Sequence, residues 1–132
     1  MELSEELQIF LVEAYENIDK VEGLLVELEK APNNQPAIHD VFRSIHTIKG
    51  NSGFLGLKQL EILCHRAEAV LDCARNRVIP IDGKVISALL TAIDTIRTIF
   101  GEIEQLGNEG NVNTETSITE LNTIINRAKG TV

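Results

Sequence analysis

The sequence has no tryptophan, a single tyrosine and four phenylalanines among 132 residues. Its 43% hydrophobic share is therefore carried by Leu, Ile, Val and Ala, a set that suits helices packed on helices. A chain of this length can hold one compact domain, residues 1–132, but not two. Basic residues are also scarce: 12 Lys and Arg face 20 Asp and Glu, a formal net charge of -8. Nucleic acid and anionic lipid both call for a basic surface, so neither is an expected partner. No apolar run approaches the roughly 20 residues that span a bilayer. The opening MELSEELQ is acidic where a secretion signal would be basic and then apolar. A cytoplasmic protein without membrane insertion is the expectation. Cys64 and Cys73 are the only cysteines and lie nine residues apart on what reads as one helix, too far along it for a disulfide. No second Cys at short spacing and no matching His pair accompanies either one, so no metal site is expected.

What the sequence does have is helical periodicity. Leu7, Leu11, Ala14, Ile18, Val21, Leu25 and Leu28 alternate spacings of four and three between Ser4 and Lys30, which marks one face of a long amphipathic helix. Ser4 can cap it, Glu5 and Glu6 suit the positive end of its dipole, and Pro32 with Asn33 and Asn34 stops it. A second helix is predicted from Pro36, with Ile38, Val41, Ile45, Ile48, Ser52 and Leu55 inward and Gly56 at its end. A third follows from about Lys58 to Arg77, carrying Leu60, Leu63, Ala67, Val70, Leu71 and Ala74. After a connection containing Pro80, Ile86, Leu89, Ile93, Ile96, Phe100, Ile103 and Leu106 define a fourth, up to Gly107. The short joins predict an all-α, antiparallel up-down-up-down four-helix bundle over residues 4–107. Residues 108–115 read as a polar linker and 116–129 as a short fifth helix packed outside the bundle, through Ile118, Leu121, Ile124, Ile125 and Ala128.

The segment FRSIHTIKGNSGFLG, residues 42–56, carries the chemistry. At about 100° per residue, Phe42, His46, Lys49, Gly50 and Gly53 fall to one side of the second helix, away from the centre of its apolar face. His46 is thus expected at the edge of the core, open to solvent. Two glycines inside a helix each cost about 1 kcal/mol relative to Ala, and the simplest reason for them is access. They clear the flank of His46 for a partner's backbone, while Lys49 remains to meet an anion. Tight helix packing around an idle surface histidine is the plainer alternative. On the third helix, Glu61, His65, Glu68 and Asp72 form a polar stripe. Counted from a turn at Gly56, His65 and Glu68 both come level with His46. A carboxylate accepting from one imidazole nitrogen would leave the other free as a nucleophile, and Glu68 is the residue placed for that; a solvated charged face explains the stripe equally well. His39, without Lys or Gly neighbours, reads as a surface residue.

At these residues the chain resembles the histidine-phosphotransfer (HPt) family, and within it the phosphotransfer domains of CheA-type chemotaxis kinases. The family pattern around its phosphorylated histidine is met by His46, Ile48, Lys49, Gly50, Ser52 and Gly56. The likeness extends to Phe42 and Arg43 and to CHRAEAVLDCAR on the third helix, and so covers nearly the whole chain. Asn51 and Ser52 depart from the smaller residues common there. The resemblance implies that His46 accepts a phosphoryl group from the ATP-bound catalytic domain of a histidine kinase and donates it to an aspartate of a CheY-like receiver domain. It implies that Lys49, His65 and Glu68 form a hydrogen-bonded network around His46, with Phe42, Gly50 and Gly53 on the docking side. The nucleotide-binding boxes of the kinase domain are absent from the sequence, so no cofactor is expected in this domain, and ATP and magnesium are expected on partner domains. The run AKGTV, residues 128–132, stops just after a helix, as an excised domain would. A non-catalytic helical interaction module is the rival reading, and a self-sufficient enzyme would need a phosphate-cradling loop that the sequence does not offer.

Overall fold

The computed structural model describes residues 3–130, and five helices occupy most of them. The first, α1 (Glu5–Lys30), begins where the Ser4 hydroxyl accepts from the Leu7 N–H at 3.2 Å and ends against Ala31 and Pro32. Its buried face is the predicted stripe with one exchange: Phe10 is in the core and Leu7 only half-buried. Helix α2 (Gln35–Phe54) is capped by Asn34, whose side chain accepts from Ala37 N–H at 3.2 Å, with Pro36 in its first turn. It terminates through Gly56, whose φ of 73° is cheap only for glycine. The Leu57 N–H then reaches back to the Ser52 carbonyl at 2.8 Å and closes the turn.

That tight turn sends α3 (Lys58–Arg75) back antiparallel to α2. The periodicity predicts α3 as far as Arg77, but Arg77 takes a left-handed φ of 60° and the Val78 N–H bonds the Cys73 carbonyl at 2.8 Å, so the helix closes at Arg75. Asp82 caps α4 (Gly83–Leu106) through Val85 N–H at 3.0 Å, and Gly107, φ 74°, ends it. The last helix, α5 (Glu115–Ala128), buries Leu121, Ile124 and Ile125.

Helix α1 packs on α2 and α4, α2 on α3, and α3 on α4, which closes an antiparallel four-helix bundle; α5 lies outside it against α3 and α4. One continuous aliphatic core runs through all five, with Phe100 meeting Phe10 and Tyr15 edge-on at ring separations of 6.1 and 5.0 Å. Two of the polar side chains inside it are partnered: Ser52 donates to the Ile48 carbonyl at 2.6 Å, and Ser117 pairs with Thr95 at 2.6 Å. Cys64 and Cys73 are free thiols, and burial raises the pKa of both. Among the described residues no helix is long and apolar enough to cross a membrane.

The segment predicted as a polar linker, 108–115, is tied down. Helix α3 begins at Leu57 with no capping side chain of its own. Glu109 supplies one from the far side of the sequence, its carboxylate accepting from the Leu60 and Gln59 N–H groups at 2.7 and 3.2 Å. Val112 packs against the core beside it. The polar composition of this stretch marks a cap and a turn instead of a free tether, because the first N–H groups of a helix need an acceptor from somewhere.

Candidate functional site

Ile45 and Ile48 are fully buried on α2, and helical rotation between them turns His46 outward. Its side chain is 60% exposed. On the side facing α3 the imidazole Nδ1 lies 2.5 Å from Glu68 Oε2, while Lys49 Nζ donates to Glu68 Oε1 at 2.8 Å. Glu68 is the least exposed member of the group, at 14% against 23% for Lys49. Burial alone would raise its pKa. The hydrogen bonds from Lys49 and His46, with their charges, outweigh that and hold the carboxyl below its ordinary range. An ionised carboxylate can only accept, so the proton between the two groups belongs to Nδ1. In the neutral ring, Nε2 then carries the free lone pair.

The register of the α2/α3 hairpin explains the pairing. Counting from Gly56 brings both His65 and Glu68 level with His46. The true centre is Leu57, eleven residues from each of His46 and Glu68, and that single step selects Glu68. His65 sits about 60° further round α3. It is exposed, its Nδ1 accepts from Arg66 Nη2 at 3.1 Å, and among the described residues no hydrogen bond joins it to His46, Lys49 or Glu68.

Seven residues bring a helix back to within about 20° of the same face, so Glu61, Glu68 and Arg75 line up along α3 and each meets α2. Glu68 meets His46 and Lys49. Glu61 lies over Gly53, where its carboxylate fills the place a Cβ would take. Arg75 lies over Phe42, its guanidinium carbon 4.0 Å from the ring centre. The expectation of two open glycines therefore divides. Gly50 has nothing within 4 Å of where a Cβ would stand; Gly53 is covered from α3. His39 is exposed, as expected of a surface residue.

Two features escaped the sequence reasoning. Arg75 had a legible signal, the seven-residue step from Glu68. The other is an exposed apolar patch at the Gly56 end of the bundle: Phe54 is 87% exposed, Ile9 and Val12 are exposed on α1, and Ile9 and Phe54 border a shallow cavity of about 220 Å³ with Glu6, Phe10, Glu13, Asn51 and Leu55. These positions lie off the core stripe, so periodicity alone leaves them without a role.

The family model described as the Hpt domain matches residues 5–99, from the start of α1 into α4. The chain belongs to the Hpt family. This Hpt domain is 37% identical over 119 residues to the sensor histidine kinase CheAY of Helicobacter pylori, an alignment covering 90% of this chain and 15% of that kinase. The chain thus spans only a small part of the relatives it matches. Among solved structures it is similar to the histidine phosphotransfer domain of CheA in solution, with a TM-score of 0.84 at 30% identity over 96% of this chain and 93% of that one. It is also similar to the phosphorylated P1 domain of CheA3 from R. sphaeroides, solved in complex with CheY6, with a TM-score of 0.81 at 25% identity over 97% of this chain and 98% of that one.

Proposed function

We propose that this Hpt domain is the phosphocarrier of a CheA-like two-component chemotaxis system, working in the cytoplasm between a histidine kinase catalytic domain and a CheY-like receiver. The observation that carries the reading is His46 held by Glu68 through Nδ1, beside Lys49, on an otherwise exposed edge. The solved complex of a phosphorylated CheA3 domain with CheY6 supports the choice of receiver.

In this reading Nε2 attacks the γ-phosphorus of ATP bound to the kinase domain. The Nε2–P bond forms as the bond from phosphorus to the β,γ-bridging oxygen breaks, and ADP leaves with that electron pair. Positive charge develops on the ring, and Glu68 faces it across the Nδ1 hydrogen bond, as an orienting carboxylate does behind any imidazole nucleophile. Lys49 offers a cation to the phosphoryl oxygens. In the second step a receiver aspartate oxygen attacks the phosphorus, the Nε2–P bond breaks, and the ring returns to its neutral tautomer. Phosphoryl transfer is mostly positioning and charge stabilisation, and this domain contributes the oriented nucleophile. ATP and magnesium belong to the partner domains, so the chain is substrate and donor without a nucleotide site of its own. Phe42, Gly50 and Gly53 with the Phe54 patch form the face a partner meets, Gly53 only after Glu61 has swung aside. His65 has a place beside the network only if its ring leaves Arg66.

Incubation with a CheA-type kinase domain and magnesium ATP tests the reading. Wild type should acquire an acid-labile, base-stable phosphoryl group that a CheY-like receiver removes, and His46→Gln should acquire none while melting as wild type does. Label retained on His46→Gln would end the assignment, and no label on wild type would favour a non-catalytic interaction module.

A further inference from the structure

The proposed transfer uses the middle contact between α2 and α3 and leaves the Arg75 contact without a task. Phe42 stands one helical turn before His46, its ring within 9° of parallel to the imidazole at a centre separation of 6.1 Å. On α3 the Arg75 guanidinium sits 4.0 Å above the Phe42 ring and is itself tied down, Nη2 donating to Asp72 Oδ1 at 2.6 Å. A half-buried phenylalanine on a helix surface has two soft torsions of its own. A cation over its face selects one of the resulting positions.

We propose that Arg75 is a positioning residue for His46, acting through Phe42. A single hydrogen bond to Glu68 locates Nδ1 but leaves the imidazole free to pivot about it. A parallel ring held beside the imidazole bounds that pivot on the side Glu68 does not reach. Helix α3 thus holds the histidine directly, by the hydrogen bond at Glu68, and one heptad on indirectly, through Arg75 over the Phe42 ring, and both decide where Nε2 points. Neither the hydrogen-bonding capacity of His46 nor the open flank at Gly50 involves Arg75, so its effect should fall on ring orientation, and any effect on docking should be carried through Phe42 alone.

The kinetic half of this proposal rests on the phosphotransfer reading; the spectroscopic half does not. The His46 ring-proton signals of wild type, Arg75→Gln, Arg75→Lys, Phe42→Leu and the Phe42→Leu/Arg75→Gln pair are compared by NMR, alongside kcat and KM for phosphorylation by a CheA-type kinase domain. Arg75→Gln should move the His46 signals toward their positions in Phe42→Leu and lower kcat about threefold, the size of a cation–π contact at a partly exposed site, with KM no higher than in Phe42→Leu. Arg75→Lys should lie between Arg75→Gln and wild type, and the double variant should match Phe42→Leu alone, since a residue acting through another adds nothing once that other is gone. His46 signals that stay put in Arg75→Gln would overturn the proposal whatever the kinetics. A KM raised above that of Phe42→Leu, with additive losses in the double variant, would overturn it as well, by placing Arg75 in direct contact with the kinase. Wild type that is never phosphorylated would sink the phosphotransfer reading instead, with the NMR comparison still deciding the stack.

Discussion

Two seams of the bundle carry cross-helix polar clusters of similar composition, and they differ in which charge is at the hub. Between α2 and α3 the hub is a carboxylate: Glu68, 14% exposed, receives Lys49 and His46. Between α1 and α4 the hub is a cation: Arg97 donates to Asp19 at 2.8 Å and Glu22 at 3.0 Å, whose side chains are 69% and 49% exposed. Tyr15 adds a hydrogen bond to Glu104 on the same seam. Exposed ion pairs are screened by water and contribute little. A partly buried carboxylate with two donors is committed to being charged and to accepting, and that commitment decides the tautomer of the neighbouring ring. The α1/α4 seam joins helices, whereas the α2/α3 seam also fixes the tautomer of an exposed histidine, the nucleophile of the proposed transfer.

Glu68→Gln should break the contrast most severely. Phosphorylation of His46 should fall by about two orders of magnitude, the scale of a lost orienting carboxylate, and stability at neutral pH should drop by about 2 kcal/mol with the charge-assisted bonds. Because the folded carboxyl is held below its ordinary value of 4.5, its stabilisation is fully present above that value and is lost as pH falls through the lower folded one. Melting curves of wild type and variant should therefore converge in acid. A constant gap across that range would place the loss in packing instead of charge.

Gly50→Leu should slow transfer on the order of tenfold, equivalent to about 1.4 kcal/mol, while the melting temperature holds or rises. The Cβ of the new side chain has nothing within 4 Å, and the change improves helix propensity by up to about 1 kcal/mol. Loss of stability with normal transfer would instead assign Gly50 to packing.

On the other seam, Arg97→Gln should cost no more than about 1 kcal/mol and leave phosphorylation untouched; a change in rate there would show that the seams are coupled. The smallest effect is a titration. Burial first, and then the bond to Glu104, push the Tyr15 phenol up to about 12 from an ordinary 10.0. Any stabilisation it gives is complete below the ordinary value and is lost as pH rises through the folded one. Tyr15 is the only tyrosine and there is no tryptophan, so ultraviolet absorbance reads it directly. Glu104→Gln should bring the midpoint back toward 10.0.

Most of the fold was legible because apolar spacing is a local signal. The stripes of α1 to α5 appear in the sequence nearly as they lie in the core, and the exchange of Phe10 for Leu7 is a small rotation of one stripe. The His46 and Glu68 pair was legible from counting along a short hairpin. His65 was over-read by the same count, because one residue of uncertainty at the turn moves the partner position by two. The cover of Glu61 over Gly53 depends on a rotamer, which spacing does not encode. Glu109 left no local trace at all, since the N–H groups it caps lie about fifty residues away.

That long-range cap has a consequence for how the domain assembles. A capping residue at Leu57 would let the start of α3 form as soon as its own segment collapsed. With Glu109 in that office, the beginning of α3 becomes conditional on α4 having been threaded and turned at Gly107. Loop closure grows only logarithmically dearer with length, so the arrangement forgoes little stability and changes chiefly the order of events. The helix that presents Glu68 to His46 is completed by a residue beyond the 5–99 span that the family model recognises, so the hairpin sets the register of the pair while a distant segment secures the end of the helix that bears Glu68.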